Sequence, residues 1–456
     1  MRLECVTSQG LAQKSYYLSD RGQAIVIDPR RDCSIYPQFA EQDCAQILYI
    51  FETHRNEDFV IGSLELQNIT KAEIAHSGET PFTYGEHRLS DGDNFTIGSL
   101  QITAIHTPGH TIDSICYTIT DLQHKNQPIM VFTGDTLFIG DVGRTDLPGL
   151  DIWQTMTEKL YNSIHDKLLS LGDSVLIYPG HGAGSICGHS ISDREISTIG
   201  YERATNPLLK IDKQTFIQQV MSRKLYRPPY FRKMENYNLH GPPLLSDPPP
   251  ALNFQQFEHQ MQEPNTVILD TREQDAFAAA HISAAQNIWL HGVSYFPGWT
   301  LNYEQDILLV TERQDDVEIA TRFLWRLGFD NIRGYLCPGM TEWRNSGRSI
   351  QQLGALTASA LKEKIEDDEV VVVDVREDEE WDEGHIKGAR HIYVGEIPER
   401  SDELPRDKAL ATTCLVGYRG SLAASILKQR GYTVYNLLGG INAWKKQGYP
   451  IHKTKT

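Results

Sequence analysis

The chain has 456 residues, too many for one ordinary hydrophobic core, and this length predicts roughly two to four domains. Its net charge of −17 predicts repulsion from nucleic acid and from anionic membrane surfaces. No apolar run approaches the ~20 residues that span a bilayer, and the start, MRLECVTSQG, lacks the regions of a secretory signal. The seven cysteines form no CxxC pair, which favours individual thiols in a reducing cytoplasm.

Short β-rich runs alternate with polar turns through the first ~240 residues. The runs are QAIVIDP, AQILYIFETH, LQITAIHTPGHT, PIMVFTGDTLF and SVLIYPGHG, and a histidine or aspartate lies at their C-terminal ends. Sheets of α/β type place ligands at such strand ends. This part of the chain is therefore predicted to be one larger domain with a ligand site in these turns.

The second half of the chain contains an internal repeat. VILDTREQDAFAAAHISAAQNI (267–288) aligns with VVVDVREDEEWDEGHIKGARHI (371–392) at a constant offset of 104 residues. Each copy alternates strand and helix patterns, which favours an α/β domain with a parallel sheet. Proline-rich stretches mark the boundary before the first copy, since proline breaks helices and central strands. We therefore expect domains at 1–245, 246–352 and 353–456, with the second boundary near NSGRSIQQLGALTA.

Four of the N-terminal turns carry chemistry-bearing side chains. Compared with a complete T-H-x-H-x-D-H metal motif, ETHRNEDF has Asn56 and Phe59 in place of two histidines. Asparagine is a poor substitute for imidazole, and phenylalanine cannot bind a metal, so a second metal ion loses a principal ligand. Two histidines and one aspartate remain, the facial triad of non-haem Fe(II) oxygenases. The four turns contain His54, His110, Asp135 and His181.

The order of these turns along the chain and their amino-acid sequences resemble those of the metallo-β-lactamase superfamily over roughly residues 1–210. The resemblance implies two β-sheets packed between helices, an αββα sandwich, with the metal at one edge. The surviving ligands match the persulfide dioxygenase branch. The motifs GRTD (143–146) and TNP (205–207) also resemble that branch. That branch implies one mononuclear Fe(II) per chain at His54, His110 and Asp135.

Several other residues are expected to surround this site. We expect Asp58 to orient a ligand histidine and His181 to be a pocket residue, because its binuclear partner position is Phe59. Cys187 lies on a glycine-rich turn expected to reach the pocket mouth, where it is either an inert buried thiol or an accessible thiol that holds sulfane sulfur. Arg144 and Asp146 are the remaining predicted pocket residues.

The second repeat contains ATTCLVGYRGSLAASILKQRG, in which Cys414 follows a strand pattern and precedes a predicted amphipathic helix. Successive N–H groups leading into a helix form an anion nest that stabilises a thiolate nucleophile. Four residues separate Cys414 from Arg419, fewer than in the C-x(5)-R loop of a phosphatase. The loop resembles that of rhodanese sulfurtransferases, which implies a persulfide on Cys414 and a role for Arg419. The other predicted loop residues are Leu415, Val416, Gly417, Tyr418 and Gly420.

The first repeat lacks this chemistry. Thr311 aligns with Cys414 and Asp316 with Arg419, so the nucleophile and the cation are both replaced. Acidic neighbours at this position would repel an anionic sulfur species. We therefore expect a catalytically silent rhodanese-like domain that spaces the active modules or forms an interface.

The whole chain resembles persulfide dioxygenase–rhodanese fusions, an α/β multidomain architecture. The resemblance implies oxidation of a low-molecular-weight thiol persulfide by O₂ to sulfite and thiol, and sulfane sulfur transfer through Cys414 to or from sulfite or thiosulfate. Two alternatives stay open: a glyoxalase II-like thioester hydrolase fused to a rhodanese, and a sulfur-carrier scaffold in which only the rhodanese is active. We expect a cytoplasmic protein without membrane partners, and a homo-oligomer is left open.

Overall fold

The computed structural model of the chain describes residues 1–124, 127–223 and 226–453. The chain folds as two compact units, one comprising Met1–Leu245 with Trp325–Gly328 and the other Ser246–Leu324 with Phe329–Thr456. Within the described residues, no helix has both the length and the apolar character needed to cross a bilayer.

The first unit contains two six-stranded mixed sheets. In the first sheet the strands lie in chain order, antiparallel up to the third and parallel beyond it. They are β1 (Arg2–Ser8), β2 (Gln13–Asp20), β3 (Gln23–Ile27), β4 (Gln46–Phe51), β5 (Glu73–Ser77) and β6 (His87–Leu89).

The second sheet has the reverse order, β12-β11-β10-β9-β8-β7, and only β10 and β11 form a parallel pair among its described strands. Its strands are β7 (Asn94–Ile97), β8 (Leu100–His106), β9 (Ile115–Asp121), β10 (Pro128–Gly134), β11 (Leu176–Pro179) and β12 (Ser197–Thr198). Each β-rich run predicted from the sequence is a strand in these two sheets.

Helices cover the outer faces of both sheets. Alternating apolar residues such as Ile27 and Phe132 meet between the sheets, whereas Ile50 packs outward on Leu66 and Val131 packs outward in a cluster that includes Leu160. This arrangement is the predicted αββα sandwich. The helices are α1 (Ile35–Gln42), α2 (Ser63–Thr70), α3 (Trp153–Asn162, continued by a π-helical turn at Ser163–Leu168), α4 (Ile199–Thr205), α5 (Lys213–Met221) and α6 (Phe231–His240).

The second unit begins with the first repeat, whose five-stranded parallel sheet has the order β13-β17-β16-β14-β15. A capping box between Asn253 and Gln256 starts its first helix. The strands are β13 (Ala251–Leu252), β14 (Thr266–Asp270), β15 (Ala285–Asn287), β16 (Asp306–Val310) and β17 (Ile332–Leu336). The helices are α7 (Phe254–Gln260), α8 (Gln274–Ala279), α9 (Pro297–Thr300), α10 (Asp315–Arg326) and α11 (Met340–Asn345).

The second repeat reproduces this topology with the order β18-β22-β21-β19-β20, again all parallel. Its strand VVVVD (370–374), which lies inside the sheet, is β-branched and largely buried, as expected for a parallel sheet covered on both faces. The strands are β18 (Gly354–Leu356), β19 (Val370–Asp374), β20 (Arg390–His391), β21 (Ala409–Thr413) and β22 (Val434–Leu437). The helices are α12 (Ala358–Glu366), α13 (Asp378–Asp382), α14 (Ile397–Arg400), α15 (Tyr418–Gln429) and α16 (Gly440–Lys446).

The residues shared by the two repeats form the same buried ion pair in each copy. Arg272 donates to Asp270 and to the carbonyl of Ala280. Arg376 donates in the same way to Asp374 and to the carbonyl of Gly384. These contacts tie the end of one strand to the segment after the following helix, so the shared aspartate and arginine maintain the fold rather than the chemistry.

Helix α15 differs from the sequence-based expectation, since it is not amphipathic. Every residue from 420 to 427 is buried. One side of the helix packs in its own domain, and the first repeat covers another side, where Ser421 Oγ donates to Asn287 Oδ1 at 2.6 Å and Gln429 donates to the carbonyl of Ala284. A helix enclosed on all sides needs small and apolar residues around its whole circumference.

Candidate active sites

The predicted metal ligands converge at one edge of the sandwich, from the turns that follow β4, β8 and β10. His110 Nε2 lies 3.5 Å from Asp135 Oδ2, and His54 Nε2 lies 3.9 Å from the same oxygen. The two imidazole rings are nearly perpendicular, with centroids 4.9 Å apart. All three side chains are buried. We call His54, His110 and Asp135 the metal cradle.

The cradle fits a single metal ion. Ligand atoms about 2.1 Å from one ion lie no more than about 4.2 Å apart, and both measured separations satisfy this limit. The Nε2 atoms of His54 and His110 are buried and have no hydrogen-bond partner among the described residues. Buried polar atoms are normally paired, so two unpaired imidazole nitrogens beside one carboxylate indicate a cation site.

Hydrogen bonds at the other ring nitrogens fix both histidines in the tautomer that a metal requires. His110 Nδ1 donates to the carbonyl of Arg144 at 2.8 Å. His54 Nδ1 donates to Thr53 Oγ1 at 2.9 Å, because the Thr53 hydroxyl itself donates to Asp28 Oδ2 at 2.6 Å. With each Nδ1 engaged as a donor, Nε2 is the nitrogen of each ring that is left to bind a metal, and a bound metal replaces the proton that His110 holds there.

The cradle is strongly coupled electrostatically. Burial lowers the pKa of His54 to about 3. Burial also opposes the charge on His110, but the Glu57 and Asp135 carboxylates outweigh it and raise the pKa of His110 to about 9. The pKa of Asp135 is held well below its usual range, because His181 and the two cradle histidines outweigh its burial. The carboxylate of Asp135 is therefore ionised at neutral pH and available to a cation.

Asp58 does not orient a ligand histidine, contrary to the expectation from sequence. Its Oδ2 atom lies 3.0 Å from His181 Nε2, while His181 Nδ1 lies 2.8 Å from Asp135 Oδ1. Asp58 therefore supports the cradle through His181, which holds the predicted ligand Asp135 in place. The sequence motif could not reveal this, because Asp58 and His181 are far apart in the chain.

The side of the cradle where a binuclear relative would hold a second ion is closed. Both ring nitrogens of His181 face carboxylates, and the Phe59 ring lies 6.4 Å from the His181 ring. The Asn56 amide instead donates to the carbonyl of His54 at 3.2 Å. The arrangement favours a mononuclear site.

Cys187 lies beside the cradle rather than at a pocket mouth. It is fully buried, and its sulfur is within 4.8 Å of ligand atoms of His110 and Asp135. Burial, reinforced by the Asp58 and Asp135 carboxylates, raises the pKa of the Cys187 thiol well above its usual value. The accessible form of this thiol expected as one alternative is therefore not observed.

Arg144 and Asp146 form a buried clamp next to His110. The Arg144 guanidinium donates to Asp146 at 2.8 and 2.6 Å and to the carbonyl of Tyr226 at 3.0 Å. These bonds fix the backbone whose carbonyl accepts from His110. In the structure they hold the Arg144 carbonyl in place against His110.

Two residues near the cradle were not identified from the sequence. The Asn238 side chain on α6 donates to the carbonyls of Asn56 and Phe59 and accepts from the N–H of Ile61, so it fixes the motif loop. Glu57 directs its carboxylate at the cradle, 3.6 Å from His110 Nε2. Loops have no side-chain periodicity, so the direction of Glu57 could not be predicted; its charge within the motif was the available signal.

The predicted sulfur-transfer loop lies between β21 and α15. The N–H of Gly417 donates to Cys414 Sγ at 3.0 Å, and Gly417 has a φ of +111°, which favours glycine. Cys414 is buried, whereas Leu415 and Val416 are 40% and 39% exposed. The loop thus presents an apolar rim beside a sulfur atom that accepts one backbone N–H, which is one part of the predicted anion nest.

Arg419 is engaged by an acidic partner. Its two terminal nitrogens donate to Glu380 of α13 at 2.6 and 2.7 Å. Burial opposes the charge of Glu380, but Arg419 outweighs it and lowers the pKa of Glu380. The cation predicted to serve an anionic sulfur group is therefore already paired with a carboxylate.

Residues of the first repeat contact this loop. Tyr418 donates to Glu273 at 2.7 Å, and its ring lies against that of Trp289 with centroids 5.0 Å apart. At the position equivalent to Cys414, the hydroxyl of Thr311 donates to the carbonyl of Arg313. The first repeat thus contributes surface to its neighbour's loop while its own loop lacks a nucleophile.

Comparisons with known proteins cover both units. Residues 9–181 match the Metallo-beta-lactamase superfamily, and residues 253–346 and 357–447 match the Rhodanese-like domain. The crystal structure of a metallo-beta-lactamase from Staphylococcus aureus subsp. aureus COL is 31% identical with a TM-score of 0.66, covering 74% of this chain and 98% of that one.

Two curated relatives resemble the first unit. Persulfide dioxygenase ETHE1, mitochondrial, of Homo sapiens is 28% identical over 221 residues, 47% of this chain and 78% of the relative. Hydroxyacylglutathione hydrolase, mitochondrial, of Saccharomyces cerevisiae is 35% identical over 178 residues, 37% of this chain and 60% of the relative.

Proposed function

Because the chain belongs to the metallo-beta-lactamase superfamily and carries two rhodanese-like domains after that domain, we propose that it is an iron-dependent persulfide dioxygenase joined to a sulfurtransferase. The observation that carries this proposal is the mononuclear cradle: two histidines and one aspartate converge, while His181 and Phe59 close the side of a second ion. We place the domains at 1–245, 246–352 and 353–456.

In the first domain, His54, His110 and Asp135 would hold one Fe(II) ion, which supplies a redox-active centre with positions for both a persulfide and O₂. Thr53 and the Arg144 carbonyl keep the two imidazoles in the ligand tautomer. The overall reaction converts a thiol persulfide, O₂ and water into the thiol, sulfite and protons. The S–S bond breaks, and both atoms of O₂ are transferred to the released sulfur.

In the last domain, Cys414 attacks the outer sulfur of a persulfide, releases the thiol and retains the sulfur as its own persulfide. Sulfite then takes this sulfur, giving thiosulfate and regenerating the Cys414 thiolate, and the reverse transfer uses thiosulfate as donor. The bond from the Gly417 N–H to Cys414 Sγ stabilises the thiolate in both directions.

A thioester hydrolase is the second candidate, and the similarity to the yeast hydroxyacylglutathione hydrolase favours it. Such a reaction relies on a metal-activated water. The two nitrogens of His181, which would serve a second ion, are both engaged with carboxylates. The geometry therefore supports the dioxygenase better.

The proposal is tested by loading the protein anaerobically with Fe(II) and measuring metal content, O₂ uptake and sulfite formation with a low-molecular-weight thiol persulfide. We expect one iron per chain and persulfide-dependent O₂ uptake. Stoichiometric zinc in the purified protein, no O₂ uptake after iron loading and rapid hydrolysis of an acylglutathione would support the hydrolase instead.

The second activity is tested with Cys414→Ser. We expect this variant to lose sulfur transfer from thiosulfate to cyanide and from persulfide to sulfite, while O₂ uptake is largely retained. Thiosulfate formation at the parent rate would contradict the role of Cys414.

A further inference from the structure

We propose that Glu57 is a fourth protein ligand of the metal ion held by His54, His110 and Asp135. This inference rests on the metal site of the proposed function and assigns that site two carboxylates instead of one.

The Glu57 carboxylate lies within the cradle. Its Oε2 atom is 3.6 Å from His110 Nε2, almost the same separation as the 3.5 Å between His110 Nε2 and Asp135 Oδ2. One oxygen of Glu57 and one nitrogen from each of His54 and His110 all lie within 4.8 Å of one another. Glu57 and Asp135 thus approach the free nitrogen of His110 at similar distances.

Outside the cradle, the Glu57 carboxylate accepts no hydrogen bond in the described part of the chain. The side chain is fully buried, and neither carboxylate oxygen has a hydrogen-bond partner there. Leaving a buried carboxylate unpaired is costly, so buried charges are normally paired or bound to metals. The neighbouring buried Glu52 is a useful contrast, because its two oxygens accept from the Tyr84 hydroxyl at 3.0 and 2.9 Å.

The consequence concerns charge and open positions. With Glu57, the two carboxylates balance the charge of a divalent ion inside a buried site, where an unbalanced charge is costly. Four protein ligands would leave a bound ion fewer open positions than the three that the facial triad leaves.

The test uses Glu57→Gln in the full-length protein, with Co(II) as the probe. We expect the substitution to change the visible absorption bands of bound Co(II) and to lower Co(II) and Zn(II) affinity by at least about tenfold, the range produced even by outer-shell changes. Glu57→Ala should reproduce both effects.

Glu52→Gln is the matched control, since it alters a buried glutamate of the same loop that is already paired. It should leave the Co(II) spectrum and metal affinity unchanged. The inference is overturned if Glu57→Gln keeps the parent Co(II) spectrum and binds both metals within twofold of the parent.

These readouts are independent of O₂ chemistry. A changed Co(II) spectrum together with no persulfide oxidation would support Glu57 as a ligand and reject the dioxygenase. An unchanged Co(II) spectrum together with normal O₂ uptake would reject Glu57 as a ligand and support the dioxygenase.

Discussion

Arg419 donates two hydrogen bonds to Glu380, at 2.6 and 2.7 Å, beside the loop that carries Cys414. Arginine in such a loop is expected to bind the anionic end of a sulfur donor. In this chain the Arg419 guanidinium is already paired with the Glu380 carboxylate of the same domain. Thiosulfate, a dianion, has to compete with Glu380, whereas a thiol persulfide carries less charge. If Cys414 accepts sulfur as proposed, we therefore expect the pair to favour persulfides over thiosulfate as donors.

Replacing Glu380 with glutamine should improve the use of thiosulfate. The amide no longer neutralises Arg419, so we expect the KM for thiosulfate in transfer to cyanide to fall by roughly three- to tenfold, the effect of about 1 kcal/mol from a partly exposed ion pair. Glu403→Gln is the control, because Glu403 pairs with Arg400 on an exposed surface. An unchanged or higher KM in Glu380→Gln would show that Arg419 does not serve the anion.

Replacing Asp28 with asparagine should weaken metal binding without touching a ligand. Asp28 accepts from both the N–H and the hydroxyl of Thr53, at 2.8 and 2.6 Å. An amide offers only one oxygen to these two donors, so the Thr53 hydroxyl loses its fixed direction and His54 its fixed tautomer. We expect a loss of about 10–100-fold in metal affinity, measured by competition with a chelator.

The pH dependence of unfolding gives this variant a second readout. Burial, with the nearby Glu52 and Asp135, raises the pKa of Asp28 to about 7 from the ordinary 3.8. The folded metal-free protein therefore holds this proton more tightly than the unfolded chain, and the Asp28 contribution to stability is lost as pH rises from about 4 to about 7. Asp28→Asn lacks that contribution. The melting temperature of the variant, relative to that of the parent, should therefore increase as the pH rises from about 4 to about 7. A constant difference between the two would contradict the account.

Replacing Trp289 with alanine should expose Cys414. The Trp289 ring of the first repeat lies against Tyr418 of the loop that carries Cys414, and Cys414 is only 1% exposed. Removing the ring uncovers one side of the loop, so alkylation of Cys414 by iodoacetamide should accelerate, on the order of tenfold. Tyr303→Ala, which removes a ring stacked on Phe329 elsewhere in the first repeat, should not change this rate. Equal rates in the parent and Trp289→Ala would show that the first repeat does not shield the loop.

The sequence was sufficient to predict the strands and the turns that follow them. Runs such as QAIVIDP and PIMVFTGDTLF are strands, and the turns after β4, β8 and β10 bring His54, His110 and Asp135 together. This worked because alternating or continuous apolar patterns identify strands, and neighbouring strand ends share one sheet edge. The repeat likewise predicted two sheets of identical strand order.

The remaining features depend on contacts between distant parts of the chain. The partner of Asp58 is His181, and the residue that fixes the motif loop is Asn238. Helix α15 is enclosed because residues of the first repeat cover it. Periodicity describes a segment and its own two faces, and it carries no information about which distant segment covers them.

The most direct measurement of the central claim uses isotopically heavy O₂. The Fe(II)-loaded protein is given a thiol persulfide in unlabelled water, and sulfite is trapped at once as an alkylated derivative at alkaline pH, before oxygen exchange with water. A dioxygenase places both atoms of one O₂ molecule on the sulfur, so we expect two heavy oxygen atoms in each sulfite. Sulfite that contains no heavy oxygen, or the absence of sulfite while thiol is released, would contradict the account.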